Sequence, residues 1–388
     1  MSPSSGRHDP AFQPVVELFD HYLESLEDYG AQLCLYWRGV PVVDRWGGVE
    51  ASEDSVTGMF SAGKGIAALC IAALVESGEL ELDRPVAYYW PEFAAAGKAD
   101  ISVRTVLSHR AGMIGVPGGF THEDLATGFS AREKLAAARP YWHPGSDFGY
   151  HAITIGMIME GLFLAIRGEQ LQAFHAREIR IGRGADVFLG LPADQDHRYV
   201  PVRPAHPDPA LQEDLADLLA YWGNRDTLTA VAMNNPARTG GRALGDVSPN
   251  VPGIRAFGGS GHAATGTARG IARAYATAVG EVDGVPPLLS DETIARVSEQ
   301  HSHGTDLVLG AEMAFAMVFM KPTRRLPFAS HAAFGHDGAG GALGYADPLY
   351  ELAFGYTPYP MQAPGGADPK AIELSRVARE VVRGLEES

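Results

Sequence analysis

Cysteine is almost absent from this sequence: Cys34 and Cys70 are the two in 388 residues. Each sits among aliphatic neighbours, in Leu33-Cys34-Leu35 and Leu69-Cys70-Ile71. That reads as two buried thiols, not as a disulfide framework. Positive charge is scarce as well. Thirty-one Lys and Arg stand against 47 Asp and Glu, a formal net charge of −16, and no basic run is longer than Arg324-Arg325. Phosphate backbones and anionic lipid surfaces are therefore poor partners. Long apolar runs are missing too. No stretch approaches the ~20 apolar residues of a membrane span, and residues 1–10 lack the apolar segment of a signal peptide. The fourteen histidines show no clear metal-ligand spacing. The expectation is a cytoplasmic protein with no metal or organic cofactor and no nucleic-acid or membrane partner.

What is present suffices for a sizeable core, since 46% of the residues are hydrophobic. The length favours about two domains at roughly 150 residues each. Phe12, Val15, Val16, Phe19, Leu23 and Leu26 make one apolar helical face over residues 11–27. Ala31–Trp37 and Val40–Trp46 are rich in strand formers, and Arg38-Gly39 between them suits a hairpin turn. Met59 to Ser77 reads as a helix beginning near Ser61, with Gly63 and Gly65 in its first turns admitting close neighbours. Helical patterns, prolines and aromatics fill about 80–245, and Arg198–Pro209 looks like a loop. Met313–Met320, Leu343–Tyr345 and Leu352–Tyr356 are the later strand candidates, and a helix spans 369–386. The order suggests an α/β fold from both chain ends: an antiparallel sheet flanked by helices, formed by 1–85 and 250–388, with a mostly helical domain inserted at 86–249.

Three short motifs carry chemistry. In Phe60-Ser61-Ala62-Gly63-Lys64 the i, i+3 spacing puts Ser61 and Lys64 on one helix face. There a neutral amine can take the hydroxyl proton, and a helix-opening Ser61 has a free N–H to stabilise an oxyanion. Alone, the pattern also fits a surface serine near a helix start. Gly149-Tyr150-His151-Ala152 follows Trp142-His143-Pro144-Gly145. A tyrosine sharing a proton with a lysine can serve as general base and acid, although alone it would pass for a core aromatic. Phe334 to Gly344 reads Phe-Gly-His-Asp-Gly-Ala-Gly-Gly-Ala-Leu-Gly. Its glycines permit close backbone approach to a ligand, or simply a tight hairpin.

Together and in this order, the three motifs resemble the serine β-lactamase and penicillin-binding-protein superfamily. The likeness is nearer to its esterase branch, the family VIII carboxylesterases, in which His often opens the third motif as in His336-Asp337-Gly338. Leu82-Asp83-Arg84-Pro85-Val86, Tyr89-Trp90-Pro91-Glu92-Phe93, Leu107-Ser108-His109-Arg110-Ala111-Gly112 and Gly344-Tyr345-Ala346-Asp347-Pro348 extend the likeness from about residue 30 to about 360. The resemblance implies a β-lactamase/transpeptidase-like fold and an acyl-enzyme on Ser61. Lys64 and Tyr150 would share the moving proton, and the N–H groups of Ser61 and Ala339 would form the oxyanion hole. His336, with Gly338 and Trp142, would support the tyrosine or the substrate. Tyr141, Trp142 and Phe148 are placed to line an acyl pocket.

Two departures from the family pattern matter. The second motif is usually Tyr-x-Asn, and Ala152 removes that amide. Asp337 stands where Thr is common, and its carboxylate would repel that of a β-lactam or peptide. The expected substrate is therefore a small carboxylic ester. An amide is the alternative, as is transfer of the acyl group to another acceptor, or an idle binding protein on the same fold. Gly258-Gly259-Ser260-Gly261-His262 nearly matches a G-x-S-x-G nucleophile elbow but ends in His, so it is set aside. His109 reads as a structural histidine at a helix end. The sequence leaves the oligomeric state open.

Overall fold

The computed structural model describes residues 3–204, 224, 226–234, 249–362 and 366–387. The end of the expected Arg198–Pro209 loop and the parts of the helical insertion at 205–223, 225 and 235–248 lie outside the described residues.

The Arg38-Gly39 turn joins β2 (Gly30–Trp37) to β3 (Val40–Gly48). Both turn residues have positive φ, 51° and 74°, as a two-residue hairpin turn matching the strand twist requires. Four further strands complete an antiparallel sheet: β1 (Ser4–His8), β9 (Phe334–Asp337), β10 (Leu343–Asp347) and β11 (Leu352–Tyr359). The order is β1-β3-β2-β11-β10-β9, so the two chain ends meet where β2 pairs with β11. Leu33 and Leu35 face one core with Phe354 and Tyr356. Cys34 and Tyr36 face the other with Ala353. A strand buried on both faces needs no polar alternation, which explains the unbroken run Leu33–Trp37.

Helices cover both faces. On one lie α1 (Gln13–Ser25) and α5 (Pro369–Glu386), packed on each other. On the other lie α2 (Ala62–Glu76) and α4 (Ala268–Val279), the latter crossing β2, β11 and β10. The architecture is thus α/β, with an antiparallel sheet flanked by helices. From residue 86 to 204 the chain is mostly short helices around α3 (Thr154–Arg167), with one two-residue strand, β5 (Val187–Phe188). That strand pairs with β6 (Ala264–Gly266), which also pairs with β4 (Thr57–Phe60). Both thiols are free and buried. No described helix is long and apolar enough to cross a membrane.

Three sequence expectations are corrected. Met59 and Phe60, at the head of the segment read as a helix beginning near Ser61, belong to β4 instead, which pairs with β6, and Phe60 turns the chain with φ 49° so that the helix opens at Ala62. Met313–Met320 is not one strand. It divides into β8 (Glu312–Phe315), paired with β7 (Ser302–Thr305), and a reversal at Val318, φ 67°, that brings Met320 back beside Phe315 and Gly335. The N-terminal strand β1 was not expected, since Ser-Ser-Gly-Arg-His has no strand-like pattern. It is held at the sheet edge by its ladder to β3 and by the Arg45 guanidinium, which donates to the carbonyls of Ser4 (2.7 Å) and Gly6 (3.0 Å).

Candidate active site

Ser61 stands at the turn from β4 into α2, directly after the strained Phe60. A non-glycine residue at positive φ costs on the order of 1 kcal/mol or more and persists only where its surroundings fix it. Here the fixing is close backbone packing. A methyl on Gly63 would fall 2.1 Å from Ala264 Cβ, and one on Gly65 would fall 2.0 Å from the Tyr275 hydroxyl. One on Gly338 would fall 2.1 Å from the Met59 carbonyl oxygen. These three glycines let β6, α4 and the β9–β10 hairpin close onto the start of α2. That closure brings Ala339 next to Ser61 on the wall of one cavity of about 360 Å³. Neither the Ser61 nor the Ala339 N–H donates to another group among the described residues.

Lys64 is completely buried, with Nζ 2.8 Å from Ser61 Oγ. The same amine donates to the Gly261 carbonyl. Burial lowers its pKa to about 7, with the Asp337 carboxylate acting in the opposite direction. A large share of the amine is therefore neutral near neutral pH. Tyr150 hydrogen-bonds Ser61, and burial drives its phenol well above the ordinary tyrosine range, so it stays protonated. Lys64 Nζ lies 5.0 Å from the centre of the Tyr150 ring, and Phe315 stacks on the ring at 5.9 Å.

Polar side chains hold the Tyr150 turn. Asp306 Oδ1 accepts from the N–H groups of Tyr150 (3.1 Å), Val308 (2.8 Å) and Leu309 (2.9 Å). His109 Nδ1 accepts from the His151 N–H at 3.1 Å, and His151 Nε2 accepts from the Met113 N–H at 3.0 Å. Burial lowers the His151 pKa to about 4 and pushes that of His109 well below its ordinary value, so both rings are neutral. The structural reading of His109 agrees with this placement.

The other residues singled out from sequence are placed differently. His336 is fully buried beside Tyr150, ring centres 6.0 Å apart, and its Nδ1 is 2.7 Å from the Asp337 carbonyl oxygen. Burial and nearby Lys64 lower its pKa to about 3. It backs the tyrosine and does not border the cavity. Gly338 likewise acts at the contact with Met59. Asp337 does border the cavity, where Oδ2 accepts from the Ala367 N–H at 2.9 Å. Ala152 lines it too, with no amide to offer. Tyr141, Trp142 and Phe148 do not line it. Trp142 donates from Nε1 to the Arg110 carbonyl (3.3 Å) and packs edge-on against His151 at 5.8 Å, while Phe148 packs on Phe315. That packing draws Trp142 and Phe148 under the Tyr150 turn, while Tyr141 lines a separate surface cavity with Pro117, Lys134 and Arg139.

Sequence reading missed most of the cavity wall. Phe60, Ile153, Met233, Leu309, Met313 and Met320 make it apolar, while Thr229, His262 and Arg325 supply polar groups. Three methionines give such a wall adaptable shape. The available signal for His262 was its glycine-rich segment, weighed only as a nucleophile elbow. Among the described residues no group of three or more His, Cys, Asp or Glu is placed to hold a metal.

Comparison with known proteins bears on the family and the fold. The Beta-lactamase family model matches residues 15–368. The chain is 32% identical to the esterase/beta-lactamase LipL of Mycobacterium tuberculosis, over 91% of this chain and 83% of that protein. The solved structure of EstA from Arthrobacter nitroguajacolicus Rue61a is 42% identical with a TM-score of 0.88, covering 97% of this chain and 98% of its own. A family VIII carboxylesterase structure is 30% identical with a TM-score of 0.85, covering 97% and 99%. The chain is a serine hydrolase and belongs to the Beta-lactamase family.

Proposed function

We propose that this protein hydrolyses small carboxylic esters through an acyl-enzyme on Ser61. The observation that carries the reading is the Ser61 hydroxyl, 2.8 Å from the buried Lys64 amine and hydrogen-bonded to Tyr150, on the wall of a largely apolar cavity. The relatives named as esterases support the same substrate class. Neutral Lys64 accepts the Ser61 proton as Oγ attacks the ester carbonyl. Tyr150, protonated at neutral pH, relays a proton to the departing alkoxide. The N–H groups of Ser61 and Ala339 face the oxyanion of the tetrahedral intermediate. Water then attacks the acyl-enzyme, loses a proton to the same pair, and Ser61 leaves as a hydroxyl. Acylation divides one difficult step into two easier ones. The division of the chain at about residues 85 and 250 belongs to this proposal, with the sheet side supplying Ser61 and Lys64 and the insertion supplying Tyr150.

The test is turnover of p-nitrophenyl acetate and butyrate in plain buffer, together with a fluorophosphonate label mapped by mass spectrometry. Repeated turnover and one label on Ser61, lost in Ser61→Ala, are expected. A label on another serine overturns the assignment. A single burst that stalls until an amine or alcohol is added favours acyl transfer instead. A chromogenic cephalosporin should turn over weakly or not at all, because Ala152 offers no amide and Asp337 places a carboxylate in the cavity wall.

A further inference from the structure

His262 is 7% exposed, and neither ring nitrogen has a hydrogen-bond partner among the described residues. Buried polar groups in native proteins are nearly always satisfied, and leaving one unsatisfied costs on the order of 1–3 kcal/mol. This imidazole borders the cavity that contains Ser61, Tyr150 and Ala339. Its missing partner therefore comes from whatever fills that cavity, water in the empty enzyme and substrate in the complex. Burial lowers its pKa to about 4, so the ring is neutral, with one donor and one acceptor to offer.

The ring's position is fixed by the catalytic machinery. The preceding residue, Gly261, supplies the carbonyl that Lys64 binds. Ser260 donates its N–H to Glu160 Oε1 at 2.8 Å, and buried Glu160 is held by Gln172 at 3.0 Å and Arg132 at 3.5 Å. A methyl on Gly261 would fall 2.4 Å from the Ile153 carbonyl oxygen, so the turn is pressed against the segment carrying Tyr150. No comparable neutral group is uncommitted in the described wall: the Thr229 hydroxyl donates to the Val308 carbonyl, Ser61 and Tyr150 bond each other, and position 152 is alanine.

We propose that His262 is a specificity-determining residue, its imidazole hydrogen-bonding a neutral polar group of the substrate's acyl part, an amide or hydroxyl a few atoms from the ester carbonyl. The proposal rests on the esterase reading of the Ser61 site. An apolar acyl chain displaces the water on His262 without replacing its hydrogen bonds and so binds less well. An amide or hydroxyl replaces them.

The test compares p-nitrophenyl N-acetylglycinate with p-nitrophenyl pentanoate, which have the same acyl length and differ by an amide in place of two methylenes. Background hydrolysis is subtracted. The wild-type enzyme should prefer the N-acetylglycinate. In His262→Leu the ratio of kcat/KM between the two esters should fall about tenfold, the scale of one hydrogen bond, mainly through KM. His262→Gln, which keeps a donor and an acceptor, should restore most of the preference. Equal losses on both esters in the two variants would mean that the ring only supports the turn. A wild-type enzyme with no preference, or a ratio that survives His262→Leu, also overturns the proposal. If the wild type hydrolyses neither ester, or Ser61→Ala hydrolyses both equally well, the esterase reading itself has failed.

Discussion

The two sides of the proposed catalytic centre are held by different physics. On the sheet side, the strand-to-helix turn carrying Ser61 meets β6, α4 and the β9–β10 hairpin through glycines, at Gly63 against Ala264, Gly65 against Tyr275 and Gly338 against Met59. Position there is set by excluded volume, and few side-chain hydrogen bonds are needed. On the opposite side, the Tyr150 turn and the Ser260–His262 turn hang on buried polar side chains, Asp306, His109, His151 and Glu160. Position there is set by satisfying those groups. The nucleophile side should therefore fail when an atom is added, and the tyrosine side when a hydrogen-bond partner is removed.

The largest effect tests whether the two sides act as one unit. Lys64→Ala and Tyr150→Phe should each lower ester kcat by at least ~100-fold, the scale of lost general acid–base catalysis, with far-ultraviolet circular dichroism unchanged. Near-full activity in Tyr150→Phe would leave the sheet side sufficient by itself. The next effect separates the two kinds of support. Gly338→Ala should lower kcat/KM about tenfold, because the added methyl forces the hairpin away from Met59 and carries the Ala339 N–H with it. Asp306→Ala should destabilise the fold by about 1–3 kcal/mol in urea unfolding, since three N–H groups lose their acceptor. If Gly338→Ala is neutral and Asp306→Ala leaves the unfolding midpoint unmoved, the contrast between packing and polar support is wrong.

The same contrast explains what was legible in the sequence. Elements whose support is local could be read. The Arg38-Gly39 hairpin, the 369–386 helix and the Ser61–Lys64 spacing follow from turn chemistry and periodicity within a dozen residues. The family resemblance supplied what distance in sequence hides, the convergence of Ser61, Tyr150 and Ala339 on one cavity. The acyl wall was not readable. Met313 and Met320 look like one strand until Leu107, distant in sequence, accepts the Val318 N–H and Met320 pairs with Gly335. Tyr141, Trp142 and Phe148 look like pocket lining because they precede Tyr150, yet Trp142 packs on His151 and Phe148 on Phe315, and Tyr141 borders a different cavity. His262 sits in a segment whose glycines suggested a different motif, and its value depends on Lys64, 198 positions earlier, binding its neighbour.

The smallest effect concerns charge, and it sharpens the comparison because it arises on the sheet side alone. The proposed mechanism needs Lys64 as the neutral amine, whose pKa is lowered to about 7 by burial while the Asp337 carboxylate raises it. Ester kcat/KM should therefore rise with pH through about 7 and then level off as the amine loses its proton. Replacing Asp337 with Asn removes the opposing anion, while the amide oxygen can still accept from the Ala367 N–H. Without that anion the charged amine is less stable, the Lys64 pKa falls further, and the acidic limb of the profile should move to lower pH. At pH 6 Asp337→Asn would then retain a larger fraction of its own plateau rate than the unaltered enzyme. On the other side, His262→Gln exchanges one neutral group for another and carries no such shift. A limb that moves upward in Asp337→Asn, or that moves equally in both variants, would mean that Lys64 does not set the profile and that another base serves Ser61.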